Sequence, residues 1–287
     1  MTIPKLIILV GIPGSGKSTY AKDYIKKNPD TLHLSSDKIR EELWGSESVQ
    51  GDPSEVFSIM QSRAVEALKN GTDVIYDATN INRKDRSHII DICPRFAQIE
   101  ARIIWASIET CIRRDAERKR TVGKSVIDMM LKRFQPPFYD EGFDDIKIIL
   151  PDEFDCTNYR INISRKMQIP HDNPHHVLDV GAHCRAAYLN ARKDVDIMMA
   201  ALFHDIGKPY TKAFKDAKGN PSEIAHYYFH DNVGAWMVYG IEMTSPYIAW
   251  LVGNHMAPFM NTKYYKNLPP FLKEPIDHLH ECDVNAH

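Results

Sequence analysis

An α/β unit with a parallel sheet flanked by helices, followed by an all-α unit, is the fold class this sequence predicts, and three observations predict it. Over the first half, short β-branched runs alternate with helical patterns, the order that builds a parallel sheet covered on both faces. From about Pro170 onward apolar residues recur at helical spacing and no further strands are needed. Between the halves, Pro151–Tyr159 (PDEFDCTNY) is polar and aperiodic. The expected organisation is one domain over 1–152, a linker over 153–169 and a second domain over 170–287, for which 287 residues leave room.

Leu6–Val10 is an unbroken aliphatic run, as in a strand buried on both faces. Further strands are expected at Thr31–Ser35, Asp73–Asp77, Ile99–Ser107 and Asp145–Leu150. Pro53–Lys69 brings Val56, Ile59, Met60, Ala64, Val65 and Leu68 to one helical face. Ligands of such a sheet sit at the carboxyl ends of its strands. In the second half Pro174–Asn190, Val195–His204, Glu223–Tyr239, Pro246–His255 and Glu274–Asp283 read as helices.

The formal net charge is −2, so no global basic field attracts polyanions, and any nucleic-acid contact must be short and local. The five cysteines are scattered and form no CxxC, as expected of reduced thiols in a cytoplasmic protein and not of a disulfide frame or zinc cage. No apolar run approaches about 18 residues and no signal peptide is evident, so no membrane association is expected.

The loop after the first strand is Gly11-x4-Gly16-Lys17-Ser18. Glycines let backbone N–H groups close on an anion, and a helix starting at Lys17 aims its positive end at the same place. This is a P-loop: Gly11, Gly14, Ser15, Gly16 and Thr19 frame ATP, Lys17 meets the β/γ-phosphates and Ser18 meets Mg²⁺. After the second strand, Asp37 is placed to accept a hydroxyl proton and Arg40 to hold an anionic part of the acceptor, although Asp37 is also a good helix N-cap. After the third, Asp77 is placed to orient a Mg²⁺ water or Arg40, with Thr79 and Asn80 beside the substrate; a plain turn reads equally well from Asp77 alone. In RRDAERKR, Arg114 and Arg118 are four apart and share a helical face, suiting a lid on the triphosphate. A solvated helix using Asp115 and Glu117 as partners is the alternative.

GIPGSGKST, SSDKIR, VIYDATNINRKDR and RRDAERKR together resemble the polynucleotide 5′-kinase family over nearly all of residues 5–140. The resemblance implies Asp37 as general base on a polynucleotide 5′-hydroxyl, Arg40 on the acceptor phosphate, and Arg114 and Arg118 as lid residues on ATP, with Arg120 able to replace either.

The second half places His204-Asp205 at the end of an apolar helix in VDIMMAALFHDIGKP, with His183 upstream and His230, His255 and Asp283 downstream. Imidazoles and carboxylates in this number suit Mn²⁺, Fe²⁺, Ni²⁺, Co²⁺ or Zn²⁺ better than Mg²⁺. This half resembles the HD phosphohydrolase superfamily over about 170–287, with HDIGKP as its signature. The resemblance implies His183, His204, Asp205 and Asp283 as metal ligands, His230 and His255 on a second metal or the phosphate, and Lys208 on the scissile phosphate. His175 and His176 could also face the substrate.

A 5′-kinase fused to a phosphohydrolase resembles bifunctional end-healing enzymes. The implied substrates are RNA or DNA ends bearing 5′-hydroxyl and 3′-phosphate or 2′,3′-cyclic phosphate, with ATP as donor and a separate ligase acting afterwards. Two other readings stand beside it: a small-molecule or nucleoside kinase joined to an HD nucleotide hydrolase, and a nucleotide-sensing regulatory protein.

Overall fold

The computed structural model describes residues 3–49, 51–118, 120–174, 177–191, 194–242 and 244–286. The chain divides into two compact units, Met1–Met130 with Pro137–Asp152, and Leu131–Pro136 with Glu153–His287.

The first unit contains β1 (Lys5–Val10), α1 (Lys17–Lys27), β2 (Leu32–Ser35), α2 (Ser36–Trp44), α3 (Pro53–Lys69), β3 (Val74–Asp77), α4 (Arg83–Ile92), β4 (Gln98–Ile104), α5 (Ile108–Ala116), α6 (Lys124–Lys132, whose last residues pass into the other unit) and β5 (Asp145–Ile149). The five strands pair in parallel in the order β2-β3-β1-β4-β5. The aliphatic run explains the position of β1: Leu6 to Val10 are wholly buried, which only a central strand allows. From β1 the chain crosses to the far edge, returns through β3 to one side of β1, then adds β4 and β5 on the other. The carboxyl end of β1 is therefore the point where strand order reverses, the usual crevice for a ligand in such a sheet. Helix α3 runs between its expected ends. Asp52 caps it through the Ser54 amide, Pro53 suits its first turn, and Val56, Met60, Ala64 and Leu68 are buried against the sheet side.

On β4, Glu100 is 1% exposed and accepts from Lys5 Nζ at 2.9 Å and Arg102 Nη2 at 2.7 Å. Burial would raise its carboxyl, but these hydrogen bonds and charges overcome burial and hold it at about 2 against an ordinary 4.5. A depressed carboxyl adds stability above its unfolded value, and the gain is lost as pH falls from about 4.5 towards about 2. The shift corresponds to about 3 kcal/mol at most. Glu100→Gln should therefore flatten the fall in urea midpoint between neutral and acid pH; an unchanged acid limb would place the loss elsewhere.

The second unit contains α7 (Cys156–Lys166), α8 (Val180–Asn190), α9 (Val195–Phe203), α10 (Lys208–Thr211), β6 (Ala213–Lys215), β7 (Pro221–His226), α11 (His230–Val238), α12 (Pro246–Asn254), α13 (Ala257–Met260), α14 (Lys263–Lys266) and α15 (Pro270–Val284). It is helical as expected, with local differences. The stretch expected to be an aperiodic linker carries α7, capped by Asp155 on the Asn158 amide and anchored by buried Ile163 and Met167. The helix expected from Pro174 begins only at Val180, where Asp179 caps it. The helix expected over Glu223–Tyr239 is split. Its first residues belong to β7, paired antiparallel with β6, because Asp216 accepts from the Lys218 and Asn220 amides and Gly219 takes φ +88° to close a hairpin. Leu131–Pro136 lies with this unit: Phe134 packs edge-on against Trp236 and Tyr239, with centroids 5.3 and 6.2 Å away. Among the described residues, no helix is long and apolar enough to cross a membrane.

Candidate functional sites

The loop between β1 and α1 is held by close backbone contacts. Gly14 has φ +81°, and a Cβ there would fall 2.2 Å from the Cys111 carbonyl; Gly16 has φ +108°. Only glycine tolerates both demands. Gly11 N–H donates to the Thr79 carbonyl at 3.1 Å. Buried Asn80, at φ +46°, donates its amide to the Leu9 carbonyl at 2.8 Å. Asn80, expected beside the substrate, thus braces β1 and the loop, and Thr79 lends its backbone to the same end.

The loop suits a phosphate chain. Gly16 caps α1 without a side-chain bond and the first turn holds no acidic residue, so the positive end of the helix stays open to an anion. Ser18 and Thr19 are exposed there. Ser15 Oγ is buried without a hydrogen-bond partner. Lys17 Nζ donates to the Gly11 and Ile12 carbonyls at 2.7 and 3.1 Å. Burial brings its ammonium down to about 8, against the opposing pull of Asp77.

Asp37 lies in the first turn of α2, but the cap position belongs to Ser35. Its carboxylate is half exposed and accepts from Arg40 Nη1 at 2.9 Å and Arg120 Nη1 at 3.5 Å. Asp77 sits 3.1 Å from His33 Nε2, and that bond, not one to Arg40, orients it. Arg114 Nη1 reaches the Gly14 carbonyl at 3.5 Å. Arg118 does not share its helical face: α5 ends at Ala116 with Glu117 as cap, and Arg118 follows, exposed. Its charge still acts to lower Lys17. Buried Asp115 pairs with no arginine in this segment; it accepts from the Val122 and Gly123 amides at 3.1 and 2.9 Å and fixes the far end of the arginine loop. Arg120 is therefore the loop arginine that meets Asp37, and His33 and Asp115 are supports that sequence reasoning missed.

In the second unit, helix ends deliver the metal-type side chains to one place. His183 lies on α8, His204 caps α9 with Asp205 after it, His230 opens α11, His255 caps α12 and Asp283 is near the end of α15. Gly207 permits the approach of α11, since a Cβ there would lie 2.1 Å from the His230 carbonyl. Each imidazole turns Nδ1 to a backbone carbonyl: His183 to Ala286 at 2.9 Å, His204 to Ala201 at 2.7 Å, His230 to Tyr227 at 2.8 Å and His255 to Val252 at 2.7 Å. A carbonyl only accepts, so Nδ1 carries a proton and Nε2 is the nitrogen turned towards the cluster.

The Nε2 atoms surround Asp205. His204 lies 3.3 Å and His183 3.7 Å from its Oδ2; His230 lies 3.1 Å and His255 3.9 Å from its Oδ1. Asp283 Oδ1 is 2.8 Å from His183 Nε2 and 3.3 Å from His204 Nε2. Three overlapping ligand groups result among the described residues, His183–His204–Asp283, Cys184–His204–Asp205 and Asp205–His230–His255, each with its atoms within 4.8 Å of one another. Divalent metal fits this set. His204 Nε2 is buried with no hydrogen-bond partner. His230 and His255 point Nε2 at Nε2 across 3.1 Å, a contact between two acceptors that a cation resolves. The two oxygens of Asp205 face different pairs of imidazoles, Oδ2 towards His183 and His204 and Oδ1 towards His230 and His255. Burial opposes every charge here, yet His204 and Lys208 hold Asp205 well below the carboxylate range, and Asp205 holds His204 well above the imidazole range. Burial, with His230 and His204, pushes His255 down to about 3.

Lys208 Nζ lies 2.6 Å from Asp205 Oδ2. His171, which no sequence pattern marked, is buried beside it, and burial and Lys208 push its imidazole down to about 4. His175 and His176 lie outside the described residues.

The AAA domain family model matches residues 6–137 and the HD domain family model matches residues 175–282. An AAA domain match is thus followed by an HD domain match, an order that supports a phosphotransferase joined to a phosphohydrolase and implies ATP with a divalent metal. Among curated relatives, the L-seryl-tRNA(Sec) kinase of Methanococcus maripaludis is 29% identical over 181 residues, covering 58% of this chain and 69% of its own length. The bifunctional polynucleotide phosphatase/kinase of Schizosaccharomyces pombe is 28% identical over 166 residues, covering 54% of this chain and 36% of its own length. Among solved structures, a chain of the Pnkp1/Rnl/Hen1 RNA repair complex is 26% identical with a TM-score of 0.42, covering 46% of this chain and 44% of that one. The chain thus spans less than half the length of the last two.

Proposed function

We propose that this protein heals broken nucleic-acid ends, RNA ends foremost, phosphorylating 5′-hydroxyls in its first unit and clearing 3′-phosphate or 2′,3′-cyclic phosphate in its second. One observation carries the reading: a complete P-loop beside a solvent-facing Asp37, and a six-ligand cluster around Asp205, occupy one chain. The first adds a phosphoryl group to a hydroxyl and the second removes one, which are the two repairs that a 5′-hydroxyl, 3′-phosphate break requires. The resulting ends, 5′-phosphate and 3′-hydroxyl, are those a separate ligase would consume. The similarity to a yeast polynucleotide phosphatase/kinase supports the reading.

In the first unit, ATP with Mg²⁺ supplies the phosphoryl group. Lys17 and the N–H groups ahead of α1 neutralise charge on it as the bond breaks. Asp37 takes the proton of the attacking hydroxyl. Arg40 and Arg120 hold Asp37 in place and offer donors to an acceptor phosphate. In the second unit, bound divalent metal supplies a water of lowered pKa and draws charge from the phosphate. Held by His183, His204, Asp205, His230, His255 and Asp283, it would lie beside Lys208, whose ammonium meets the phosphate oxygens.

The test is an RNA bearing 5′-hydroxyl and 2′,3′-cyclic phosphate, incubated with ATP and Mg²⁺, Mn²⁺, Fe²⁺, Ni²⁺, Co²⁺ or Zn²⁺ in turn, with both ends analysed. A 5′-phosphate and an opened or cleared 3′ end are expected. Phosphorylation of free nucleosides in preference to the oligonucleotide would move the chain to the small-molecule kinase reading.

A further inference from the structure

Lys208 is held from two sides. Its ammonium lies 2.6 Å from Asp205 Oδ2 and 3.3 Å from His171 Nε2, with the Tyr227 ring 5.4 Å away. Lys208 is 6% and His171 1% exposed, so neither contact is a passing surface encounter. His171 Nδ1 lies 2.8 Å from the Leu178 carbonyl. That carbonyl can only accept, so Nδ1 carries the proton and Nε2 accepts from Lys208. The Tyr227 hydroxyl donates to the backbone carbonyl of His171, and its ring stands edge-on to the imidazole at 6.2 Å. His171 is in none of the ligand groups of the cluster. An ammonium has three protons. One goes to His171 while Asp205 balances the charge as an ion pair, leaving a proton for another acceptor.

We propose that His171 is a positioning residue for the phosphohydrolase: fixed by the Leu178 carbonyl, it steers the Lys208 ammonium so that a proton faces the substrate phosphate. The proposal rests on the phosphohydrolase reading of the second unit. Without the imidazole, the Asp205 carboxylate remains as the ion-pair partner of Lys208 among the described residues. The ammonium is then free to swing about Oδ2 and turn its protons from the phosphate.

Four variants test it: His171→Leu, which fills the space without an acceptor; His171→Gln, whose carbonyl can occupy the Nε2 position; Lys208→Ala; and the double variant His171→Leu/Lys208→Ala. On a 3′-phosphate oligonucleotide, His171→Leu should lower kcat about tenfold, as outer-shell changes do, with KM near the parent value. Its metal content by elemental analysis should match the parent. His171→Gln should recover most of the rate, and His171→Leu should cost nothing more in the Lys208→Ala background. Loss of metal in His171→Leu, or losses that multiply in the double variant, would overturn the proposal. If His171→Leu does not fold, His171→Asn replaces it, because its amide reaches the Leu178 carbonyl but leaves Lys208 without an acceptor. A readout independent of turnover is the ¹⁵N resonance of the Lys208 ammonium, identified by its loss in Lys208→Ala. It should exchange slowly in the parent and in His171→Gln, and rapidly in His171→Leu. A parent without phosphate-ester turnover under any metal would sink the phosphohydrolase reading, whereas a resonance indifferent to His171 would sink the hydrogen bond itself.

Discussion

Asp205→Ala should cost the second unit its bound metal and its phosphohydrolase activity together, by more than about a hundredfold, while 5′ phosphorylation continues. The expectation follows from the two oxygens of one carboxylate facing different pairs of imidazoles, Oδ2 towards His183 and His204 and Oδ1 towards His230 and His255. Even an outer-shell change costs 10–100-fold, and a shared ligand should cost more. His230→Ala is the contrast: it spares His183, His204, Asp205 and Asp283, so metal should stay in part. Because Asp205 also balances Lys208 and His204, Asp205→Asn, which keeps the volume, should be measured beside it with circular dichroism as a folding check. Elemental analysis decides, and a full metal complement in a folded Asp205→Ala protein would refute the shared-ligand role.

Lys17→Ala should remove kinase activity by about 10²–10³-fold, the scale of losing one preorganised charge at a developing anion. Removal of 3′ phosphate should persist, since the two units bury separate cores. Asp37→Ala should be nearly as severe, because a placed base is worth about 10²–10⁴-fold. Asp37 does not cap α2, so that variant should melt within a few degrees of the parent. Near-normal phosphorylation by folded Asp37→Ala would remove it from the role of base.

Much of the frame was legible because it rests on short-range chemistry. A wholly buried β1 reads as an aliphatic run, the loop reads as glycines, and α3 reads as an apolar stripe with its cap. The metal cluster was legible as residue types, each near a helix end. What sequence could not show was pairing across long separations. Asn80 looks like a site residue, yet its amide reaches back to Leu9. Arg114 and Arg118 match a helical face, but the helix stops between them, and Arg120 meets Asp37 instead. His33 meets Asp77 only because β2 and β3 lie side by side. His171 sits between Pro170 and Pro174 with no periodicity to mark it, and only the folded unit brings it to Lys208. Helix α7 escaped notice because its stretch is mostly polar and buries little beyond Ile163.

Leu131–Pro136 sets the order in which the chain can mature as it leaves the ribosome. Phe134 belongs with Trp236 and Tyr239, yet it emerges about 100 residues ahead of them, and the last strand of the sheet, β5, emerges in between. At about 5–20 residues per second, its aromatic ring waits roughly 5–20 s for its partners. Through that interval the sheet can close while an apolar segment belonging to the unmade unit hangs between β4 and β5, open to any chaperone that reads exposed aromatics.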